Sequence, residues 1–172
     1  NRHPKVLVLV PTRELAVQVE KVFKSFCLLL PEKIKSMAVF GGVSINPQMM
    51  HLNGVQILVA TPGRLLDLVE SKALHLSALE VLVLDEADKM LNLGFATEMQ
   101  AILKLLPLKR QNLLFSATFN LAIEELSHLL LKSPEKVEII AETLNLDLIN
   151  QQAYAIEDAD KGPFLRKLIQ EK

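Results

Sequence analysis

Short apolar runs alternate with amphipathic stretches along the whole chain. Val6–Val10 is a five-residue apolar run closed by Pro11, and after it Leu15, Val19, Val22, Phe23 and Phe26 recur at the spacing of one helix face. The same logic predicts further strands over Ala38–Phe40, Val55–Ala60, Val81–Leu84, Asn112–Phe115 and Val137–Ile140. Helices are predicted from Asn46-Pro47, where a capping side chain precedes Pro, from Thr61-Pro62, and across Phe95–Leu106. Asn120 heads one more, with Leu121, Ile123, Leu126, Leu129 and Leu130 on a common face and a stop near Pro134. Periodicity lapses over Glu142–Asp147, where a boundary is expected; beyond it Ile149–Ile156 reads as extended and Gly162–Gln170 as an amphipathic helix. Strands apolar on both faces and separated by helices predict an α/β fold, a doubly wound parallel sheet with helices on both faces.

Composition narrows the class. The chain has 172 residues and is half apolar, enough to bury a core, which excludes global disorder. Cys27 is the one cysteine, so neither an intrachain disulfide nor a cysteine-based zinc site can form; it fits a reducing compartment. No apolar run approaches the ~18 residues of a membrane span. Residues 1–84 carry nine Lys/Arg against six Asp/Glu, and residues 85–172 ten against fourteen. Neither half has the basic stripe of a strong nucleic-acid binder. Any phosphate contact must therefore come from a few side chains and backbone amides.

Four segments carry candidate chemistry. Val81–Leu84 delivers Asp85-Glu86-Ala87-Asp88 at its C-terminal end, the edge where doubly wound sheets bind ligands. One carboxylate there can hold Mg²⁺ through water while its neighbour orients an attacking water; the segment equally reads as a solvated acidic turn. Thr61-Pro62-Gly63-Arg64 follows a strand and opens a helix whose free amides suit a phosphate, with Arg64 as a charged donor; an ordinary capped helix with a surface Arg reads the same way. Pro11-Thr12-Arg13-Glu14-Leu15-Ala16 repeats the design, and Gly41-Gly42 repeats it without a charge. Together these strand ends can follow a nucleic-acid backbone without reading bases, or they are unrelated tight turns. Ser116-Ala117-Thr118 places two hydroxyls at a strand end, within reach of a carboxylate or merely capping a helix.

Taken together, PTRELA, GG, TPGR, DEAD and SAT, in that order and spacing, resemble the N-terminal motor domain of a DEAD-box ATP-dependent RNA helicase. A given tetrapeptide turns up by chance in a chain this long in roughly 1 of 1,000 cases, so several in order leave coincidence little room. The resemblance covers about residues 4–140, and 149–172 more loosely. It implies a RecA-like domain over 1–142, then a linker and the opening of a second RecA-like domain over 143–172. It implies ATP and Mg²⁺ as cofactors, with Asp85 binding the ion and Glu86 activating water. Asp88, Ser116, Ala117 and Thr118 would couple nucleotide state to domain closure. Pro11, Thr12, Arg13, Gly41, Gly42, Thr61, Pro62, Gly63 and Arg64 would lie along single-stranded or duplex RNA, contacting its backbone. Protein partners, no membrane, and a cytoplasmic location (nuclear or nucleolar in a eukaryote) follow from the same resemblance.

The chain departs from that pattern in two places. No GxxxxGK[ST] phosphate loop occurs in it, and the second motor domain is represented only by its opening. We therefore expect the 172 residues to be an incomplete piece of a longer gene product that does not hydrolyse ATP alone. We also expect an unpaired sheet edge beside the strand ending in SAT. A non-catalytic module that binds RNA or a protein partner is the rival reading, and a DNA-directed ATPase a third. His3, His51, His75 and His128 show no ligand spacing, and Cys27 reads as a small core residue.

Overall fold

The computed structural model of the chain describes residues 2–139 and 150–170. They fall into two compact units, 1–134 and 135–172. The first unit is a five-stranded sheet in which every pairing is parallel: β1 (Val6–Leu9), β2 (Ser36–Val39), β3 (Ile57–Ala60), β4 (Val81–Leu84) and β5 (Gln111–Leu114), in the order β2-β3-β1-β4-β5. Five helices connect them, α1 (Arg13–Cys27), α2 (Ile45–His51), α3 (Pro62–Glu70), α4 (Ala87–Asn92) and α5 (Ala96–Leu105), and α6 (Leu121–Leu130) follows β5.

Side chains alternate across the sheet with the period of two that a strand imposes. Leu7, Leu9, Leu58, Ala60, Leu82 and Leu84 join one core with Leu52, Leu65, Leu68, Met90, Met99, Ile102, Ile123 and Leu130 from α3 to α6 and the end of α2. Val8, Val10 and Val59 point the other way, against Ala16, Leu15, Val19 and Phe23 of α1. Helices thus cover both faces, as the doubly apolar strands predicted. Each fully buried Leu contributes about 1.5–3 kcal/mol, so the central strands anchor the fold.

Most of the expected elements form, with shifted limits. β3 starts at Ile57, because Val55 closes a turn by donating its N–H to the Leu52 carbonyl; it is buried there without being strand. α2 starts one residue before Asn46, so Asn46 is not its cap, and Pro47 sits in the first turn. The segment Val137–Ile140 is not a strand in its described part: residues 137–139 pair with nothing in the sheet, and Val137 and Ile139 are almost fully exposed. An apolar run fixes a strand only when a neighbour accepts its ladder. The boundary expected at Glu142–Asp147 lies outside the described residues. In the second unit, residues 150–156 form no regular element, and a 3₁₀ turn (Asp158–Asp160) leads into α7 (Lys161–Gln170), with Pro163 in its first turn. Tyr154 meets Phe164 edge-on at 4.9 Å there.

Candidate functional site

Register gathers the motifs. Val39, Ala60, Leu9, Leu84 and Leu114 align as one row across the sheet. The chain after each of them therefore leaves from the same C-terminal edge. Along that edge the loops follow strand order, not chain order: Gly41-Gly42, then Thr61–Arg64, then Pro11–Arg13, then Asp85–Asp88, then Ser116–Thr118. The three phosphate-suited turns stand side by side, and the acidic and hydroxyl segments adjoin them.

On the three-turn side, Thr12 caps α1, its Oγ1 accepting from the Leu15 amide at 3.2 Å. Arg13 is exposed and pairs with Glu14 at 2.8 Å, an arrangement that holds the Glu14 carboxyl below its ordinary range. Its Nη1 lies 3.6 Å from where a Cβ on Gly42 would stand, which brings the Pro11–Arg13 and Gly41-Gly42 turns together. Gly42 has φ +79°, backbone that L side chains adopt only under strain. Thr61 stands at the start of α3, yet its hydroxyl accepts from the Gly41 amide at 3.4 Å and not from the helix. Pro62 occupies the first turn of α3. Gly63 follows it, and a Cβ there would meet nothing within 4 Å.

Arg64 is not the surface residue that the sequence allowed. Its side chain is 7% exposed. Nη2 donates to the Val43 carbonyl at 2.7 Å and Nε to Asp67 at 3.3 Å, while Nη1 is buried with no hydrogen-bond partner. One donor of a buried cation is thus left open, a costly arrangement unless something completes it. Its local signal was weak, since Arg64 directly precedes the apolar pair Leu65-Leu66.

On the acidic side, the Asp85 amide donates to Leu9 of β1 and the Ala87 amide to Phe115, so the acidic turn is fixed to both neighbouring strands. Asp85 Oδ1 accepts from the Glu86 amide at 2.9 Å. Glu86 takes φ +49°, ψ 49°, a left-handed conformation that costs a non-glycine residue about 1–2 kcal/mol. Lys89 Nζ lies 3.2 Å from Glu86 Oε2 at an angle too poor for a hydrogen bond, so the contact is an ion pair. The left-handed turn and α4 behind it were invisible in the sequence, because six residues are too few to show helical periodicity.

Thr118 Oγ1 donates to Asp88 Oδ2 at 3.0 Å, joining the fourth and fifth loops. Ser116 has one proton and gives it to the Thr118 carbonyl at 2.7 Å, which folds the loop on itself. Ala117 lies between them, exposed, and its amide also faces Asp88.

The donor set fits Mg²⁺ in one respect. A single carboxylate on a rigid strand end, with one oxygen already anchored, suits an ion that keeps most of its waters. Asp85 also borders a cleft of ≈ 240 Å³ lined by Val8, Val19, Phe23, Val83 and Phe115. β5 is the edge strand beside that cleft, with Phe115 half exposed, as expected of an edge with an open side. The four histidines build no centre: His3 and His75 stack at 5.1 Å, but among the described residues no three His, Cys, Asp or Glu side chains cluster for a metal. Cys27 is half-buried at the end of α1. Among the described residues no helix is long and apolar enough to cross a membrane.

Comparison with known proteins identifies the family. Residues 1–126 match the DEAD/DEAH box helicase family. The chain is 43% identical to the DEAD-box ATP-dependent RNA helicase CshA of Streptococcus pneumoniae over 96% of its length and 31% of that relative's. It is 40% identical to the ATP-dependent RNA helicase DbpA of Bacillus subtilis over 96% of its length and 34% of that relative's. With the mitochondrial DEAD-box ATP-dependent RNA helicase 9 of Arabidopsis thaliana it shares 38% identity over 99% of its length and 28% of that relative's. The chain spans about a third of the length of these curated relatives.

Proposed function

This chain belongs to the DEAD/DEAH box helicase family, and from that premise we propose that it is part of an ATP-dependent RNA helicase. The intact enzyme unwinds short RNA duplexes or remodels RNA–protein complexes by closing two RecA-like domains around ATP and RNA. In this reading residues 1–142 form the first of those domains and 143–172 lead into the second. One observation carries it: the strand order places three phosphate-suited turns together at one sheet edge, with the acidic pair and its hydroxyl partners next to them.

RNA lies over Pro11–Arg13, Gly41-Gly42 and Thr61–Arg64, held through phosphates and sugars, so sequence preference is weak. The open donor on Arg64 and the bare surface over Gly63 support that path. Asp85 would hold Mg²⁺ through water. ATP·Mg²⁺, when bound, supplies the phosphoryl group whose transfer to water releases energy. Glu86 orients that water; its carboxylate pairs with Lys89 while Asp85 is anchored on the Glu86 amide, so the two take different tasks. Asp88, Ser116, Ala117 and Thr118 relay the state of the site to domain closure. Protein partners and a cytoplasmic setting belong to the same reading. The 172-residue chain alone has no ATP turnover, since it offers no lysine-bearing phosphate loop. The rival reading, a binding module without chemistry, leaves the Asp88–Thr118 bond without a purpose.

The test uses the full-length gene product. RNA-stimulated ATP hydrolysis is expected in the unsubstituted protein and is lost in Glu86→Gln, with ATP and RNA binding retained. Turnover that survives Glu86→Gln removes Glu86 from the role. No turnover in the unsubstituted protein favours the binding module.

A further inference from the structure

Among the described residues Gln48 is one of three buried polar or charged side chains, with Thr61 and Arg64, and it belongs to none of the motifs. It sits in α2 on the stripe Ile45, Met49 and Leu52, which packs into the main core. A polar side chain on such a stripe must find partners inside the protein. Gln48 finds both on one residue. Its Nε2 donates to the Phe40 carbonyl at 3.1 Å, and its Oε1 accepts from the Phe40 amide at 3.1 Å. The side-chain amide thus imitates a neighbouring strand and extends the ladder one step past the end of β2 at Val39.

The residue so held is the one before Gly41-Gly42. Those glycines add flexibility, and Gly42 is in left-handed backbone. Two further ties hold the same loop from α3: Thr61 Oγ1 on the Gly41 amide and Arg64 on the Val43 carbonyl. The three ties come from two helices and bracket the glycines on both sides.

We infer that Gln48 is a positioning residue for RNA: it clamps Phe40 and so fixes the backbone of Gly41 and Gly42 in the conformation that receives the RNA strand. The inference rests on the reading of Gly41-Gly42 as part of the RNA path. A loop already ordered in the free protein loses less freedom on binding, which strengthens binding without any contact from Gln48 itself.

The experiment uses the full-length gene product and two readouts. Hydrogen exchange at the Gly41 and Gly42 amides, relative to amides of β1, reports the clamp. NMR titration with single-stranded oligo(U) reports RNA affinity. Gln48→Met keeps the shape and removes both hydrogen bonds. Gln48→Glu keeps the acceptor for the Phe40 amide, loses the donor, and serves if Met is poorly tolerated. Ile102→Val, in the core on α5, is the control for general loss of stability. Expected in Gln48→Met is exchange at Gly41 and Gly42 roughly tenfold faster, with oligo(U) affinity about fivefold to tenfold weaker. Gln48→Glu falls between, and Ile102→Val leaves both ratios unchanged. Unchanged exchange in both Gln48 variants overturns the clamp. Faster exchange with unchanged oligo(U) affinity overturns the positioning role. No oligo(U) binding by the unsubstituted chain sinks the RNA reading and the positioning role with it, while exchange still judges the clamp separately.

Discussion

The Thr118 hydroxyl donates a 3.0 Å hydrogen bond to the Asp88 carboxylate across thirty residues of chain. It ties the loop after β5 to the first turn of α4 and so joins the hydroxyl segment to the acidic one. Burial alone would raise the Asp88 carboxyl. Hydrogen bonds from the Thr118 hydroxyl and from the Lys89 and Ala117 amides outweigh it together and leave the group below its ordinary value.

That balance predicts a pH effect with a defined sign. A carboxyl lowered in the folded state stabilises the fold in full above its unfolded value, near 3.9, and the contribution fades as pH falls through the lower folded value. Thr118→Ala removes the strongest of the opposing bonds. The Asp88 carboxyl then titrates at higher pH than in the unsubstituted chain, and less stability is lost between pH 5 and pH 2, about the acid range of carboxylates. Carbon-detected NMR titration of Asp88 reads the first, and denaturation at several pH values the second. An Asp88 titration that does not move in Thr118→Ala removes Thr118 as its partner in solution.

Glu86 carries a backbone cost for the sake of its carboxylate. Its φ of +49° is relieved by glycine, which adopts that region freely but loses more chain entropy on folding. Glu86→Gly is therefore expected to stabilise the chain by up to ~1 kcal/mol, read by urea denaturation. Glu86→Gln changes stability by less than ~0.5 kcal/mol, because the exposed pair with Lys89 contributes little. A chain that loses stability in Glu86→Gly is not strained at this turn.

Legibility in the sequence followed local pattern and failed where partners were distant. β4 was readable to the residue, Val81–Leu84, because Asp85 ends the apolar run as abruptly as the ladder ends. The other four motif-bearing strand ends were readable to within one residue. Their order along the edge was not, because β1 inserts between β3 and β4 and no single segment records that crossover. Val137–Ile139 shows the opposite failure, with strand-like residues and no ladder. Gln48 left a trace: it falls three residues after Ile45 on an otherwise apolar stripe, the position where a polar side chain signals a buried hydrogen bond. Nothing local showed that Phe40 would be its partner.

Arg64 links stability to ligand binding. Removing its bond to the Val43 carbonyl costs about 1.5–3 kcal/mol, the range for hydrogen bonds to charged groups. Arg64→Lys keeps the charge but cannot reach Val43 and Asp67 as a planar fork does, so most of that cost remains. If the open Nη1 meets an RNA phosphate, Arg64→Ala also flattens the dependence of RNA affinity on salt by about 0.7 in log–log slope, whereas Arg64→Lys, which keeps the charge, flattens it less. An unchanged slope with reduced stability assigns Arg64 to the loop alone.

Gly42 and Gly63 separate backbone strain from ligand approach. At Gly42 any L side chain must adopt φ +79°, so Gly42→Ala costs about 1–2 kcal/mol before any ligand is present. At Gly63 the backbone is ordinary and the space around a Cβ is empty. Alanine there is a better helix former by up to ~1 kcal/mol, so Gly63→Ala holds or raises stability in urea denaturation. A strand of RNA passing over the start of α3 meets the added methyl, and oligo(U) affinity falls while the chain grows no less stable. Loss of affinity in Gly42→Ala mixes strain with obstruction and proves neither. Loss in Gly63→Ala has one source, a ligand that needs that space. Full affinity in Gly63→Ala routes the RNA away from α3 and leaves Arg64 Nη1 without its phosphate.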